Sequence, residues 1–295
     1  MNQVQLRTLL AVIDEGGFDV AAAVLGVSPS AVSQRIRALE KSVGRVLVKR
    51  STPPTPTHAG EVIVEAARRM ALLEAETATR LDDRLSRVAL SVAVNADSLA
   101  TWLRPMLADI AADGRASLRL RIEDEAHTVA LLRSGEVMAA ITTDGSPVSG
   151  CEVTYLGSMR YVAVATPWLR DRYRVGDGID WAQMPALRFG PNDALQDTDL
   201  EGRLAPEIPR DRRISHVPSS EAFVEACRVG LGWALLPELQ AAPDLASGEL
   251  VVLDADVLEV PLFWQRWRLK SRTLEVLTEA VTGAAAKALG TAPGS

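Results

Sequence analysis

Residues 28–43 constrain this chain more than any other stretch. Ser28-Pro29 reads as an N-cap followed by proline at the first helical position, where its missing N–H costs nothing. Beyond it Val32, Ile36, Leu39 and Val43 fall on one face of a helix, and Ser30, Ser33, Gln34, Arg37 and Lys41 on the opposite face. That second face carries hydroxyls, an amide and cations, with no large apolar group. Ser and Gln bond base edges, and Arg does so or holds phosphate. The plain alternative is a three-helix bundle whose polar face is merely solvated, and periodicity alone leaves both open.

The flanking residues weigh toward nucleic acid. Leu6, Leu9, Leu10 and Ile13 form a helical stripe that Gly16-Gly17 ends. Phe18, Ala21, Ala22 and Leu25 repeat the spacing up to a turn at Gly26. A short helix, a glycine turn and a helix with a polar face is helix-turn-helix logic. After Gly44, Val46-Leu47-Val48 suits a short strand, and the run from Ser51 to Pro56 is too proline-rich for a central strand and reads as an exposed hairpin or wing. Thr57 then caps a long helix expected from about Ala59 to Arg84. On it Ile63, Ala66, Met70, Leu73 and Thr77 alternate four- and three-residue steps, the seam of a helix pairing with its own copy.

Net charge seems to oppose this reading, since the 295 residues sum to −6. The average hides an asymmetry. Residues 1–58 hold seven basic side chains against four acidic ones, and the acidic balance lies in the remainder. A basic head on an acidic body fits a protein with one half on DNA. Two cysteines, Cys151 and Cys227, without a C-x-x-C pattern, argue against a disulfide framework or thiolate zinc site and suit a reducing compartment. Residues 1–10 lack the basic-then-apolar pattern of a secretory signal, and no apolar run is long enough to span a bilayer, so a cytoplasmic protein is expected.

The run from Phe18 to Glu40, with Ala21-Ala22, Leu25-Gly26-Val27-Ser28, Val32-Ser33-Gln34, Ile36 and Leu39-Glu40, resembles the head of LysR-type transcriptional regulators. Gly44, Leu47, Arg50 and Ala59-Gly60 also fall where that family has them. Val48 stands where phenylalanine is common, and the wing is unusually rich in proline; both departures bear on the wing's contacts. The candidate DNA contacts are Ser28, Ser30, Ser33, Gln34, Arg35, Arg37, Lys41 and Arg50.

From Val88 onward short apolar runs alternate with helical patterns, an α/β pattern. Strands are expected at 88–94, 117–122, 139–143, 151–156 and 160–165 (the last two about a turn at Gly157), then at 186–189, 214–217, 233–236, 250–253 and 261–267. Ser98 is expected to cap a helix reaching about Ala112, Ser219 to cap another, and Leu274, Leu277 and Val281 to mark a final one. Trp264 and Trp267 read as core or dimer-contact residues. The family resemblance implies a two-lobed body like that of periplasmic binding proteins. The expected fold is therefore α/β with an all-α head: a winged helix-turn-helix over 1–58, a linker and dimerisation helix over 59–87, and an effector domain over 88–290. One lobe takes 88–162 and 266–290, the other 163–265, and 291–295 is a tail.

Asn95–Trp102, Glu123–Thr128, Leu187–Pro191, Gly230–Trp233 and Trp264–Leu269 are similar to segments of the subgroup that controls export of basic amino acids, the LysG/ArgP subgroup. That resemblance implies a regulator, not an enzyme, responding to lysine, arginine or histidine and activating an exporter gene. It further implies a dimer through the linker helix, a tetramer of such dimers, and contact with RNA polymerase. No cofactor or metal is expected; lysine or arginine is the expected effector. Candidate effector contacts are Asn95, Asp97, Ser98, Glu123, Glu125, Thr142, Phe189 and Asp193. A helix start at Asn95–Ser98 offers N–H groups for a carboxylate, and Glu123, Asp124, Glu125 and Asp193 offer counter-charge for cations. The ordinary readings are an N-cap and a solvated acidic turn.

Other signals fail their context. Gly230-Leu231-Gly232 lacks the third glycine and the preceding strand of a dinucleotide loop; His58, His127 and His216 lack ligand spacing; no nucleophile motif occurs. A solute-binding transport protein or an amino-acid-processing enzyme shares such a body. The first has no use for the two-faced helix, and the second lacks its chemistry.

Overall fold

The computed structural model describes residues 1–81, 88–114, 116–123, 125–190, 193, 195–201, 203 and 212–289. The expected helix end at Arg84, Asp124 and the tail lie outside them.

Helix α1 (Gln3–Asp14) opens with a reciprocal cap: Asn2 Oδ1 accepts from the Gln5 amide and Gln5 Oε1 from the Asn2 amide, both at 3.0 Å. Helix α2 (Phe18–Leu25) contributes Ala21 and Ala22, small enough for close approach. Helix α3 (Pro29–Val43) is capped by Ser28, whose Oγ accepts from the Ala31 amide at 3.2 Å. Its apolar face is buried as read: Val32, Ile36 and Leu39 close a core with Leu6, Leu9, Val12, Ala21 and Ala22. Strand pairing in the wing is shorter than expected. Strand β1 (Val48–Lys49) meets β2 (Thr55–Pro56) antiparallel, while Val46 and Leu47 stay outside the ladder.

Glu40 Oε1 accepts from the Leu47 amide at 2.9 Å and the Val48 amide at 3.4 Å, so an α3 carboxylate fastens the wing. Thr57 caps α4 (His58–Leu81): its Oγ1 accepts from the Gly60 amide at 3.0 Å and donates to the Val46 carbonyl at 2.7 Å. Val64 and Ala67 of α4 complete the head core.

The body is built on a six-stranded sheet ordered β11-β6-β12-β5-β3-β4. Strands β3 (Val88–Val94), β4 (Ala116–Ile122) and β5 (Ala139–Thr142) are parallel, connected through helices α5 (Ala96–Ala100), α6 (Arg104–Asp113) and α7 (Glu125–Arg133). The single helix expected up to Ala112 is thus two. Asn95, not Ser98, is the cap, its Oδ1 accepting from the Ser98 amide at 2.7 Å. The first helix breaks at Thr101 (φ −116°, ψ −102°) and the second restarts with Pro105 in its first turn.

Two long strands replace four expected short ones. Strand β6 (Cys151–Ala165) passes straight through Gly157, which holds φ +126° at a register shift and is no chain reversal. Strand β12 (Val251–Trp267) pairs with β6 antiparallel along its length and slips between Val252 and Val257. Glycine, proline and acidic residues inside these strands mark bulges rather than ends.

Between them lies the second lobe: α8 (Pro167–Arg172), the β7–β8 hairpin (Arg174–Val175, Gly178–Ile179), β9 (Ala186–Arg188), α9 (Leu195–Glu201), β10 (Ile214–His216), α10 (Ser220–Arg228), β11 (Ala234–Pro237) and α11 (Glu238–Ser247). Ser219 caps α10 as expected, and α12 (Arg272–Ala288) buries Leu274, Leu277 and Val281 against the first lobe. Trp264 and Trp267 are core residues.

Gly60 packs against the wing so closely that a Cβ would lie 2.0 Å from the Leu47 carbonyl oxygen. Gly60→Ala is expected to lower stability by about 1–3 kcal/mol. Denaturation of the full-length protein should register the loss; an unchanged midpoint would contradict this packing.

Candidate DNA-reading face and effector cleft

On α3 the apolar residues are consumed by the core, which fixes the rest outward. Ser28, Ser30, Gln34, Arg37 and Lys41 are exposed, and Ser33 and Arg35 are partly exposed. Ser28 and Ser30 are joined Oγ to Oγ at 2.9 Å, so the cap hydroxyl is shared with the first turn of the face. Arg50 is exposed beyond β1, with its guanidinium 5.9 Å from the Phe18 ring centroid, within cation–π range. The candidate contacts therefore form an accessible polar surface with several cations. Glu40, absent from the expected set, turns its carboxylate to the wing.

The second candidate region forms where three parallel strands end. The Glu123 amide donates to the Val94 carbonyl at 3.1 Å, which puts Glu123 beside Asn95. Strand β5 runs parallel with β3 through Ala93 and Ala140, so Thr142 emerges at the same edge. Ligands of open α/β sheets bind beyond such carboxyl ends.

Asp97 projects from the start of α5 to the long crossing strand, where Tyr161 Oη donates to its Oδ2 at 2.8 Å. Ser220, at the start of α10 in the other lobe, adds a hydrogen bond to the same carboxylate. Burial raises the pKa of Asp97, the Asp193 carboxylate raises it further, and the bonds from Tyr161 and Ser220 oppose the rise. Burial likewise pushes the Tyr161 hydroxyl well above its usual value, with the Asp97 charge next in weight. Two carboxylates from opposite lobes thus act on one another at a half-buried place.

The remaining candidates are placed as follows. Asp193 takes the Phe189 amide on one oxygen and the Leu195 amide on the other, each at 3.1 Å, and so also orders the chain into α9. Phe189 is partly buried, its ring 6.4 Å from that of Phe223. Thr142 is buried and donates to the Asp144 carbonyl at 2.9 Å while Gln265 Nε2 reaches it at 3.2 Å. Ser98 is wholly buried, its Oγ accepting from Trp102 Nε1 at 3.1 Å. The Glu125 side chain lies outside the described residues.

Tyr161 and Ser220 were missing from the expected set. Tyr161 sits mid-strand with nothing local to separate it from a core aromatic; Ser220 is one place past a serine that already explains the helix start.

Among the described residues no helix is long and apolar enough to cross a membrane, and no cluster of His, Cys, Asp and Glu is placed to hold a metal ion. Cys151 and Cys227 are buried, which pushes their thiols up to about 11 and about 12, far from nucleophilic use near neutrality.

Residues 4–61 match the model of the bacterial regulatory helix-turn-helix proteins of the lysR family, and residues 84–286 that of the LysR substrate binding domain. The lysine export transcriptional regulatory protein LysG of Corynebacterium efficiens is 59% identical over 99% of this chain and 100% of its own length. The full-length structure of LysG from Corynebacterium glutamicum with bound effector Arg superposes with a TM-score of 0.82 at 55% identity, covering 99% of this chain and 100% of that one. The structure of ArgP from Mycobacterium tuberculosis gives a TM-score of 0.84 at 42% identity, over 97% of each chain. Head and body together match one architecture: the chain belongs to the LysR family of bacterial helix-turn-helix transcriptional regulators, among those of the LysG/ArgP type.

Proposed function

We propose that this regulator takes lysine or arginine in the cleft between its lobes and, as a cytoplasmic DNA-bound dimer or tetramer, activates a gene for export of basic amino acids, with contact to RNA polymerase. The observation that carries the effector half is the Asp97–Asp193 pair. Two carboxylates drawn from opposite lobes act on one another where Asp97 is desolvated, and a cationic ligand is a group that relieves both. LysG of Corynebacterium glutamicum, with arginine as its bound effector, supports the same reading. Asp97 and Asp193 take the ligand's cations with help from Glu123 or Glu125, while the start of α5 at Asn95–Ser98 receives the carboxylate. Thr142 and Phe189 line the two sides. A cation held from both lobes favours their closed arrangement, which is how ligand shifts the population.

Calorimetry should show lysine binding well above its uncharged analogue norleucine, and Asp97→Asn should erase most of the difference. Because the pKa of Asp97 is raised, its charge is lost, as pH falls, at a higher pH than an ordinary aspartate's. Lysine affinity is therefore expected to fall as the pH is lowered in the native protein, before ordinary aspartates titrate, and this loss should be absent in Asp97→Asn. Equal affinity for lysine and norleucine would end the basic-amino-acid reading.

For the head, we propose that α3 reads base edges with Ser33, Gln34 and Arg37, while Ser28, Ser30, Arg35, Lys41 and Arg50 position the phosphates. Gln34→Ala and Arg37→Ala should each cost roughly 1–3 kcal/mol of operator binding. Arg50→Ala should weaken all sequences alike and flatten the salt dependence. Folded Gln34 and Arg37 variants with native operator affinity would remove the recognition role.

Assembly is proposed through α4. Met70 and Leu73 are exposed, and with Leu6, Leu10 and Ala67 they line an apolar groove of about 470 Å³ between α1 and α4. A second copy of α4 fits a seam of this spacing. Met70→Asp with Leu73→Asp should abolish dimerisation and two-half-site operator binding together. An intact dimer of the double variant in sedimentation would defeat this assembly.

A further inference from the structure

Arg68 occupies a place that neither the reading face nor the cleft explains. It lies on α4, is 6% exposed, and spends its guanidinium on two parts of the chain far apart in sequence. One terminal nitrogen, Nη2, pairs with Asp14 Oδ1 at the end of α1; the other, Nη1, donates to the Glu136 carbonyl at 2.7 Å. The Glu136 carboxylate is held in turn by Arg121 Nη1 at 2.7 Å and by the Ser134 hydroxyl at 3.2 Å. Burial lowers the pKa of Arg68, while Asp14 and Glu136 oppose that, yet a guanidinium remains charged. The head, α4 and body thus meet at one desolvated cation.

The surrounding surfaces are shaped to this meeting. Gly135 holds φ +75°, and a Cβ there would lie 2.5 Å from Glu65 Cα on α4. One turn along, Arg69 pairs with Glu65 and stacks its guanidinium 4.9 Å from the Trp267 ring of the body. The loop that touches Arg68 is also the direct continuation of α7, whose other end follows Glu123 at the cleft. Nine helical residues form a stiff rod of roughly 13 Å.

We infer that Arg68 is the positioning residue that sets the body on the reading head: one guanidinium holds α1, α4 and the loop after α7 together, so that motion at the cleft reaches the DNA-facing helices. The tie itself stands on the contacts above; its use in signalling rests on the effector reading proposed for the cleft. Loss of Arg68 leaves ligand groups intact and separates ligand binding from ligand response, an outcome a general loss of stability does not produce.

The test uses the full-length protein and three variants: Arg68→Met, Arg68→Lys and Gly135→Ala. In Arg68→Met, amide hydrogen exchange over residues 134–138 and at the end of α1 should quicken together, on the order of tenfold for a lost charge-assisted bond, while β6 and β12 keep their rates. Lysine affinity by calorimetry should stay near native, and the lysine-driven change in operator affinity should shrink at least about fivefold, the scale of a lost coupling. Arg68→Lys, with one donor group instead of a fork, should restore protection at Asp14 and not at 134–138. Gly135→Ala should loosen 134–138 alone, and covers the case in which Arg68→Met does not fold. Native exchange at both places in Arg68→Met overturns the tie. Loosened exchange with an undiminished lysine response overturns the coupling. If the native protein neither binds nor responds to lysine, the effector reading fails, and the exchange pattern still decides the tie.

Discussion

Antiparallel pairing of β6 with β12 is the constraint on which the body depends. Both strands cross from one lobe to the other, so the ladder that stabilises each lobe also connects them. A hydrogen-bonded ribbon resists shear along its strands but bends where the ladder is interrupted. Interruptions occur at two places, opposite Gly157 and between Val252 and Val257. The second releases residues 253–256, and Asp254 from that excursion pairs with Arg203, itself bonded to Asp199 at 2.9 Å and lying 4.7 Å from the Trp181 ring. The bulge is therefore occupied by structure. Tyr161 lies between the two interruptions, on the stretch where the lobes share a strand, which explains why Asp97 of one lobe is anchored there.

Charges in this fold divide by how they are balanced. The Arg203 side chain, 5% exposed, is surrounded by aspartates and is structural; the buried Asp244 is likewise paired, by the more exposed Arg228 at 3.0 Å. Such pairs are costly to break because removing one partner strands the other without water. Asp97 and Asp193 are arranged the other way, like charge against like charge, with hydroxyls on the first and backbone amides on the second. On the head, Arg37 and Lys41 of α3 are exposed, while Glu40 is turned to the wing. On the reading proposed for the cleft and for α3, ligand and DNA supply the balancing charge at two places of opposite sign.

How much of this was legible follows from how far each signal reaches. In the head, every boundary is marked within one turn: Ser28 and Pro29 start α3, Gly44 stops it, Thr57 starts α4, and the stripe of Val32, Ile36 and Leu39 names the buried face. Local rules suffice there for the helix starts and the buried face, and overran only in the wing, where Val46 and Leu47 lie outside the ladder. In the body the same rules misread long-range order. Gly157 and Pro261 look like strand ends and are bulge and edge features of strands held by their partners. Pro105 falls inside the single helix expected up to about Ala112, yet it sits in the first turn of a second. Ser98 looks like a cap, but Asn95 three residues earlier reaches the free amide first. The cleft was legible only as separate carboxylates. That Asp97 would meet Tyr161 and Ser220 depends on topology, because the three come from α5, a crossing strand and α10.

The division of cores limits how the two unbalanced places can communicate. The head closes around its own apolar cluster, distinct from the clusters of the body, and α3 is packed on three fully buried side chains. Interiors at that density do not deform by degrees. A change in lobe angle therefore meets α3 only through a tightly packed head core that moves as a unit. What it can change is where the head is held, because the body rests on α4 through Gly135, Arg68 and Trp267 rather than through the head's core. In the dimer proposed through α4, two heads that must match two half-sites are sensitive to placement even when each reads its bases unchanged. Rigid heads on a movable mount are thus the form of response this packing permits.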